Sequence, residues 1–183
     1  MKWIAEMPPR VRARIAGVFY FFTFVAGSLA LGSGTRALVA NLVATACYIG
    51  VTVLFYYIFK PVNKSVSLLA AIFGLAGCAV GALSAFHLVP AALNPLIFFG
   101  VYCLLIGSLI FRSTFLPRTL GVLMAIGGLG WLTFVSPSLA KSLFPYNLAP
   151  GMIGEGALTL WLLVIGLNVQ RWTAQADPAG ASP

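Results

Sequence analysis

Acid is what this chain almost lacks. Its 183 residues include only three Asp and Glu, and charged residues of both signs make up 8%. A soluble domain carries about 25%, so a surface bathed in water on all sides is excluded. There is one His, so no cofactor held between two axial imidazoles fits within a single chain, and no cofactor is expected. The three cysteines, Cys47, Cys78 and Cys103, show no CxxC spacing and lie away from that His. No metal site is expected of them; they read as small buried hydrophobes.

What fills the chain instead is apolar: 61% of residues are hydrophobic. About 20 apolar residues cross a hydrocarbon core of roughly 30 Å, and six stretches qualify. They run over Ile15–Gly32, Ala37–Phe59, Ser65–Leu88, Pro95–Phe111, Thr119–Ser136 and Pro150–Gln170. The fold class expected is all-α, a polytopic bundle of six transmembrane helices over residues 14–171. A short segment, 1–13, precedes it, and a Pro/Gly-rich tail, 172–183, is too polar to fold.

The positive charges assign the sides. One set of connecting segments holds Lys2, Arg10, Arg12, Arg14, Lys60, Lys64, Arg112, Arg118 and Arg171; the other holds only Arg36 and Lys141. Nine against two places both termini in the cytoplasm by the positive-inside bias. Trp3 and Trp172 then share the inner interface, where indoles lodge. Basic loops facing anionic lipid account for the net charge of +8 without nucleic acid. A bacterial cytoplasmic membrane is the expected location. The first segment also has a signal-peptide outline, ending at Ser28-Leu29-Ala30, but its apolar stretch is long enough to span. Residues 138–149 read as a short segment lying along the outer surface.

Four separated segments carry a resemblance. They are Arg14-Ile15-Ala16-Gly17 with Tyr20; Lys60-Pro61-Val62-Asn63-Lys64-Ser65; Phe111-Arg112-Ser113 with Leu116-Pro117-Arg118 and Leu120-Gly121; and Gly154-Glu155 ahead of Leu160-Trp161-Leu162. In that order they resemble a bacterial family of integral membrane proteins catalogued as domain of unknown function 4386, over roughly residues 12–170. Two departures stand out: a short link at 32–36, and Tyr102 where members often carry a His. The resemblance implies a membrane bundle and leaves activity open.

Glu155 is the sharpest chemical signal. A carboxylate at the centre of a membrane helix costs about 2.5 to 3.5 kcal/mol, and this one lies about 6 to 8 Å below the expected outer boundary at 1.5 Å per residue. His87, Arg36, Asn41 and Trp131 fall at similar depth. Together with Glu155 they form a candidate outer-leaflet polar pocket for a small lipophilic or amphipathic ligand. Each has a plainer reading: Glu155 as a structural bond between helices, His87 as a boundary residue, Arg36 as a solvated loop cation. Asn94 before Pro95 reads as a helix cap. The seam Ala70, Gly74, Gly77, Gly81 and Ser84 lets helices approach closely, within the bundle or between copies. The run Gly127-Gly128-Leu129-Gly130 lies inside a span and is no phosphate loop.

Three functions fit: a ligand-binding or carrier protein, an intramembrane enzyme with Glu155 as acid or base, and a non-catalytic helper subunit. An enzyme normally brings two positioned titratable groups to the reacting atoms, and one carboxylate with one His weighs against it. The partners expected are membrane lipids, the small ligand, and a homo-oligomer or larger membrane complex.

Overall fold

A computed structural model describes residues 4, 6–90 and 93–177. Trp3 and Lys2, assigned above to the inner side, fall outside them, as do residues 178–183 of the tail.

Eight α-helices occur among the described residues: α1 Pro9–Leu29, α2 Gly34–Phe59, α3 Lys64–Ala85, α4 Pro95–Arg112, α5 Arg118–Leu132, α6 Pro137–Leu143, α7 Ala149–Val164 and α8 Val169–Ala176. Five segments are long and apolar enough to cross a membrane: α2, α3, α4, α5 with the 3-10 turn that follows it, and α7 with the turn that precedes it. α1 has 21 residues but opens on Arg10, Arg12 and Arg14.

The six long helices close into a ring, each packed on its sequence neighbour, with α7 returning to α1. One end of the ring holds the α1–α2, α3–α4 and α5–α7 connections. The other holds α2–α3, α4–α5, the start of α1 and α8, as bonds from Arg12 to the Tyr57 carbonyl and from Trp172 to the Ile58 carbonyl show. The ring's exterior is apolar: Ile72 is 55% exposed, Leu129 60% and Leu160 61%. Water penalises such a surface and hydrocarbon does not.

Local chemistry sets the helix ends. Asn63 caps α3 by accepting from the Val66 amide at 2.9 Å. Asn94 caps α4 from the Leu96 amide at 2.9 Å, with Pro95 at the first helical position, as expected. α3 stops at a left-handed residue, His87, whose φ is 57°. The His87 amide bonds the Ser84 carbonyl and the Leu88 amide bonds the Leu83 carbonyl, both at 3.0 Å. This is the crossed pair of bonds with which helices commonly terminate, with His where Gly is usual. α7 ends at Val164, short of the expected Gln170, because Gly166 turns left-handed at φ 77°.

α8 corrects the expectation of an unstructured tail from residue 172, since the chain is helical to Ala176. Asn168 caps α8 by accepting from the Arg171 amide at 3.1 Å. The helix is strapped across the bundle by its own polar groups. Trp172 Nε1 donates to the Ile58 carbonyl (2.9 Å), Arg171 donates to the Thr114 carbonyl (3.3 Å), and the Thr114 hydroxyl donates to Gln175 Oε1 (3.2 Å). The Arg12 guanidinium lies between the Tyr57 and Trp172 rings, 5.8 and 5.6 Å from their centroids, and donates to the Met7 carbonyl at 2.9 Å.

Glycines set the tightest contacts. A Cβ on Gly107 would stand 2.7 Å from the Gly121 carbonyl oxygen, and one on Gly128 2.7 Å from that of Gly100, so α4 and α5 meet backbone to backbone. The α3 seam is used inside the bundle: Gly74 faces Thr52 and Tyr102, and Gly77 faces the Phe99 ring. In α5 the glycine run divides its faces, Gly128 towards α4, Gly127 and Gly130 towards the chain at Asn147–Gly151.

Candidate functional site

The ring's interior gathers polar side chains from five helices. Glu155, 7% exposed, projects inward from α7. Its Oε2 accepts from the Tyr20 hydroxyl of α1 at 2.7 Å, and its Oε1 accepts from Trp131 Nε1 of α5 at 2.6 Å. The Cys103 thiol of α4 lies 3.6 Å from Oε1 as a third, weaker donor. One carboxylate therefore ties α7 to three other helices. Every donor is neutral, and among the described residues no Lys, Arg or His hydrogen-bonds to Glu155.

The geometry explains how the indole reaches so far in. Gly151 lies one turn before Glu155, and a Cβ there would collide with the Trp131 ring. Only a residue without a side chain lets the indole lie flat on α7 and point its N–H at the acid. Above it the turn Tyr146–Leu148 roofs the site. Asn147 donates to the Thr133 hydroxyl at 3.0 Å, and its carbonyl oxygen presses on Gly130.

Aromatic rings form the rest of the wall. The Tyr20 ring meets Tyr48 edge-on at 5.5 Å and Phe55 at 5.9 Å between centroids. Tyr48 in turn stands 4.6 Å from Phe99 and 5.6 Å from Tyr102. The hydroxyls of Tyr48 and Tyr102 are buried and, among the described residues, have no partner in good hydrogen-bond geometry; each has one polar neighbour, the Tyr20 hydroxyl for Tyr48 and the Thr52 hydroxyl for Tyr102. The Thr52 hydroxyl is committed to the Tyr48 carbonyl at 2.9 Å. Two unpaired hydroxyls beside a buried carboxylate are unusual, because nearly all buried polar side-chain atoms find a partner.

Of the residues singled out from the sequence, the structure brings Trp131 to Glu155 and leaves the other three elsewhere. His87 is exposed and lines a surface hollow of about 320 Å³ with Ser84, Leu93 and Asn94. Arg36 is exposed at a groove of about 420 Å³ between α1 and α2, lined by Ala26, Leu29, Val39 and Val43. Asn41 is half-buried and accepts from the Thr45 hydroxyl at 3.5 Å. The carboxylate meets Tyr20 and Cys103, each about half-way along its helix, and Trp131, one residue from the end of α5.

Sequence reasoning left Cys103 as a plain hydrophobe and had no partner for Tyr20. A tyrosine at the middle of a membrane span is the signal that finds the latter, since its hydroxyl needs a partner there. Nothing in the sequence points from Cys103 to the acid.

Comparison with known proteins agrees with this architecture. The chain matches the family described as domain of unknown function DUF4386 over residues 33–94 and 91–166. It belongs to that family. The matched segments begin after α1, so the resemblance drawn above from Arg14 to Tyr20 lies outside them, whereas Trp131, Cys103 and Glu155 lie within. An uncharacterized protein of Archaeoglobus fulgidus is 32% identical over 130 residues, covering 66% of this chain and 78% of that protein. No solved structure matches. The molecular function of this DUF4386 protein is thus not supplied by its relatives.

Proposed function

We propose that this DUF4386 protein is a six-span protein of the bacterial cytoplasmic membrane that binds a small lipophilic or amphipathic ligand at the Glu155 core. α1 serves as the sixth span beside the five apolar segments, since it packs in the ring between α2 and α7. Both termini face the cytoplasm, because the basic residues concentrate at the end of the ring where the two chain ends meet. α8 lies along that inner face.

The observation that carries the binding role is the composition of the core. An ionisable side chain within a membrane domain is expensive to keep. Here it is enclosed by five helices with hydroxyls to spare, more polar capacity than helix packing uses. The ligand site is centred on Glu155, Trp131 and Tyr20. The alternative of an enzyme pairing Glu155 with His87 is not favoured, because His87 terminates α3 on the exposed end of the bundle.

Mass spectrometry of the protein extracted in native lipid tests the reading. A small molecule bound stoichiometrically to the wild type and lost from Glu155→Gln is expected. A wild-type spectrum with no bound species other than bulk phospholipid would refute it.

A further inference from the structure

Charge and ring placement at this site point to a particular ligand chemistry. Among the described residues the Glu155 carboxylate is met by three neutral donors and by no cation. A buried anion so placed gains most from a partner of opposite charge. The surrounding groups favour the same partner. Tyr20, Tyr48 and Trp131 are aromatic side chains whose ring faces attract cations. The unpaired hydroxyls of Tyr48 and Tyr102 offer oxygen lone pairs to N–H donors. An anionic ligand would meet repulsion from the acid, and a neutral alcohol would leave the charge uncompensated.

We infer that the Glu155 core takes a small organic ammonium, a protonated amine on an apolar body, whose N–H groups bond Glu155 and the Tyr48 and Tyr102 hydroxyls. This rests on the ligand-binding reading above and narrows it to one class. The ammonium takes the place at Oε1 that Trp131 Nε1 occupies. Entry is by movement of that indole and of the Tyr146–Leu148 turn above it, where the Asn147 side chain holds the roof by a single hydrogen bond to Thr133. The apolar body then sits against Phe55 and Phe99.

The test uses the full-length protein in lipid nanodiscs and three probes with one apolar body: 1-aminoadamantane, 1-adamantanol and adamantane-1-carboxylate. Binding is read by thermal unfolding and by tryptophan fluorescence. The amine is expected to bind, and the alcohol and the carboxylate at least ten-fold more weakly. Glu155→Gln, whose amide oxygen can accept from Trp131 while its amide nitrogen donates to the Tyr20 hydroxyl oxygen, should weaken the amine at least ten-fold. Tyr48→Phe deletes a hydroxyl with no partner in good hydrogen-bond geometry, so it keeps the fold; it should weaken the amine several-fold. The inference is overturned if the alcohol or carboxylate binds as well as the amine, if the amine binds Glu155→Gln unchanged, or if no probe binds. A co-purified molecule that proves neutral or acidic also overturns it while leaving the ligand-binding reading intact.

Discussion

Tyr20, Tyr48 and Tyr102 are three buried tyrosines whose para oxygens have different employment, so one substitution made three times separates hydrogen bonding from packing. Tyr20→Phe removes the 2.7 Å bond to Glu155 Oε2. Among the described residues that oxygen has no other donor, and Tyr20 is 0% exposed, so solvent does not replace what is lost. A hydrogen bond to a charged group contributes about 1.5–3 kcal/mol, whereas interhelical bonds measured within membranes average about 0.6 and reach about 1.7. The stranded oxygen puts this bond at the top of the membrane range, and the expected loss is about 1.5 kcal/mol. Tyr48→Phe and Tyr102→Phe delete oxygens that have no partner in good geometry, only a neighbouring hydroxyl, and both are expected to cost well under the Tyr20 value. Unfolding free energies from titration of mixed micelles with a denaturing detergent, followed by circular dichroism, give all three numbers. Equal losses at the three positions, or none at Tyr20, would refute the assignment of Tyr20 as the anchor of the acid.

Gly151→Ala should drive the indole off α7 and lengthen its bond to Glu155, at a cost of about 1–3 kcal/mol from overpacking; a shift in Trp131 emission, read with the other tryptophans replaced by Phe, checks it. Gly107→Ala should cost a similar amount, about 1–3 kcal/mol, because the new methyl meets the Gly121 backbone, while Gly27→Ala, with open space around it, should be neutral; thermal unfolding of the two variants compares them directly. Trp172→Ala removes one face of the Arg12 sandwich and the bond to the Ile58 carbonyl. It should free α8, so that limited trypsin digestion of inside-out vesicles cuts at Arg171 at least ten-fold faster than in the wild type.

Five of the six expected spans were legible as helices long and apolar enough to cross a membrane, because long apolar runs stand out in a chain so poor in charge. Asn94-Pro95 and the end of α2 at Phe59 were readable for local reasons: a cap with a proline after it, and the Lys60-Pro61 pair. The tail was misread at α8, where composition is polar but Trp172, Arg171 and Gln175 each find a partner on a surface that only the folded bundle creates. The site was half legible. Glu155 announced itself by cost, and Trp131 by sharing its depth. His87 and Arg36 shared that depth too, yet depth fixes only one coordinate; the helix face decides contact, and His87 was taken by the end of α3. Cys103 and the unpaired hydroxyls were invisible because their meaning depends on rotation about four separate axes.

The four glycines that join α4 to α5 bear on how the closed core opens. With carbonyl oxygens resting where side chains would stand, those two helices have no compressible layer between them and behave as one stiff plate. The backbones of Cys103 and Trp131 ride on that plate at fixed spacing. Access to Glu155 as proposed is therefore left to rotation of the Trp131 side chain and to the Tyr146–Leu148 turn, so a spin label on that turn should move relative to α5 on ligand entry while a pair on α4 and α5 stays still.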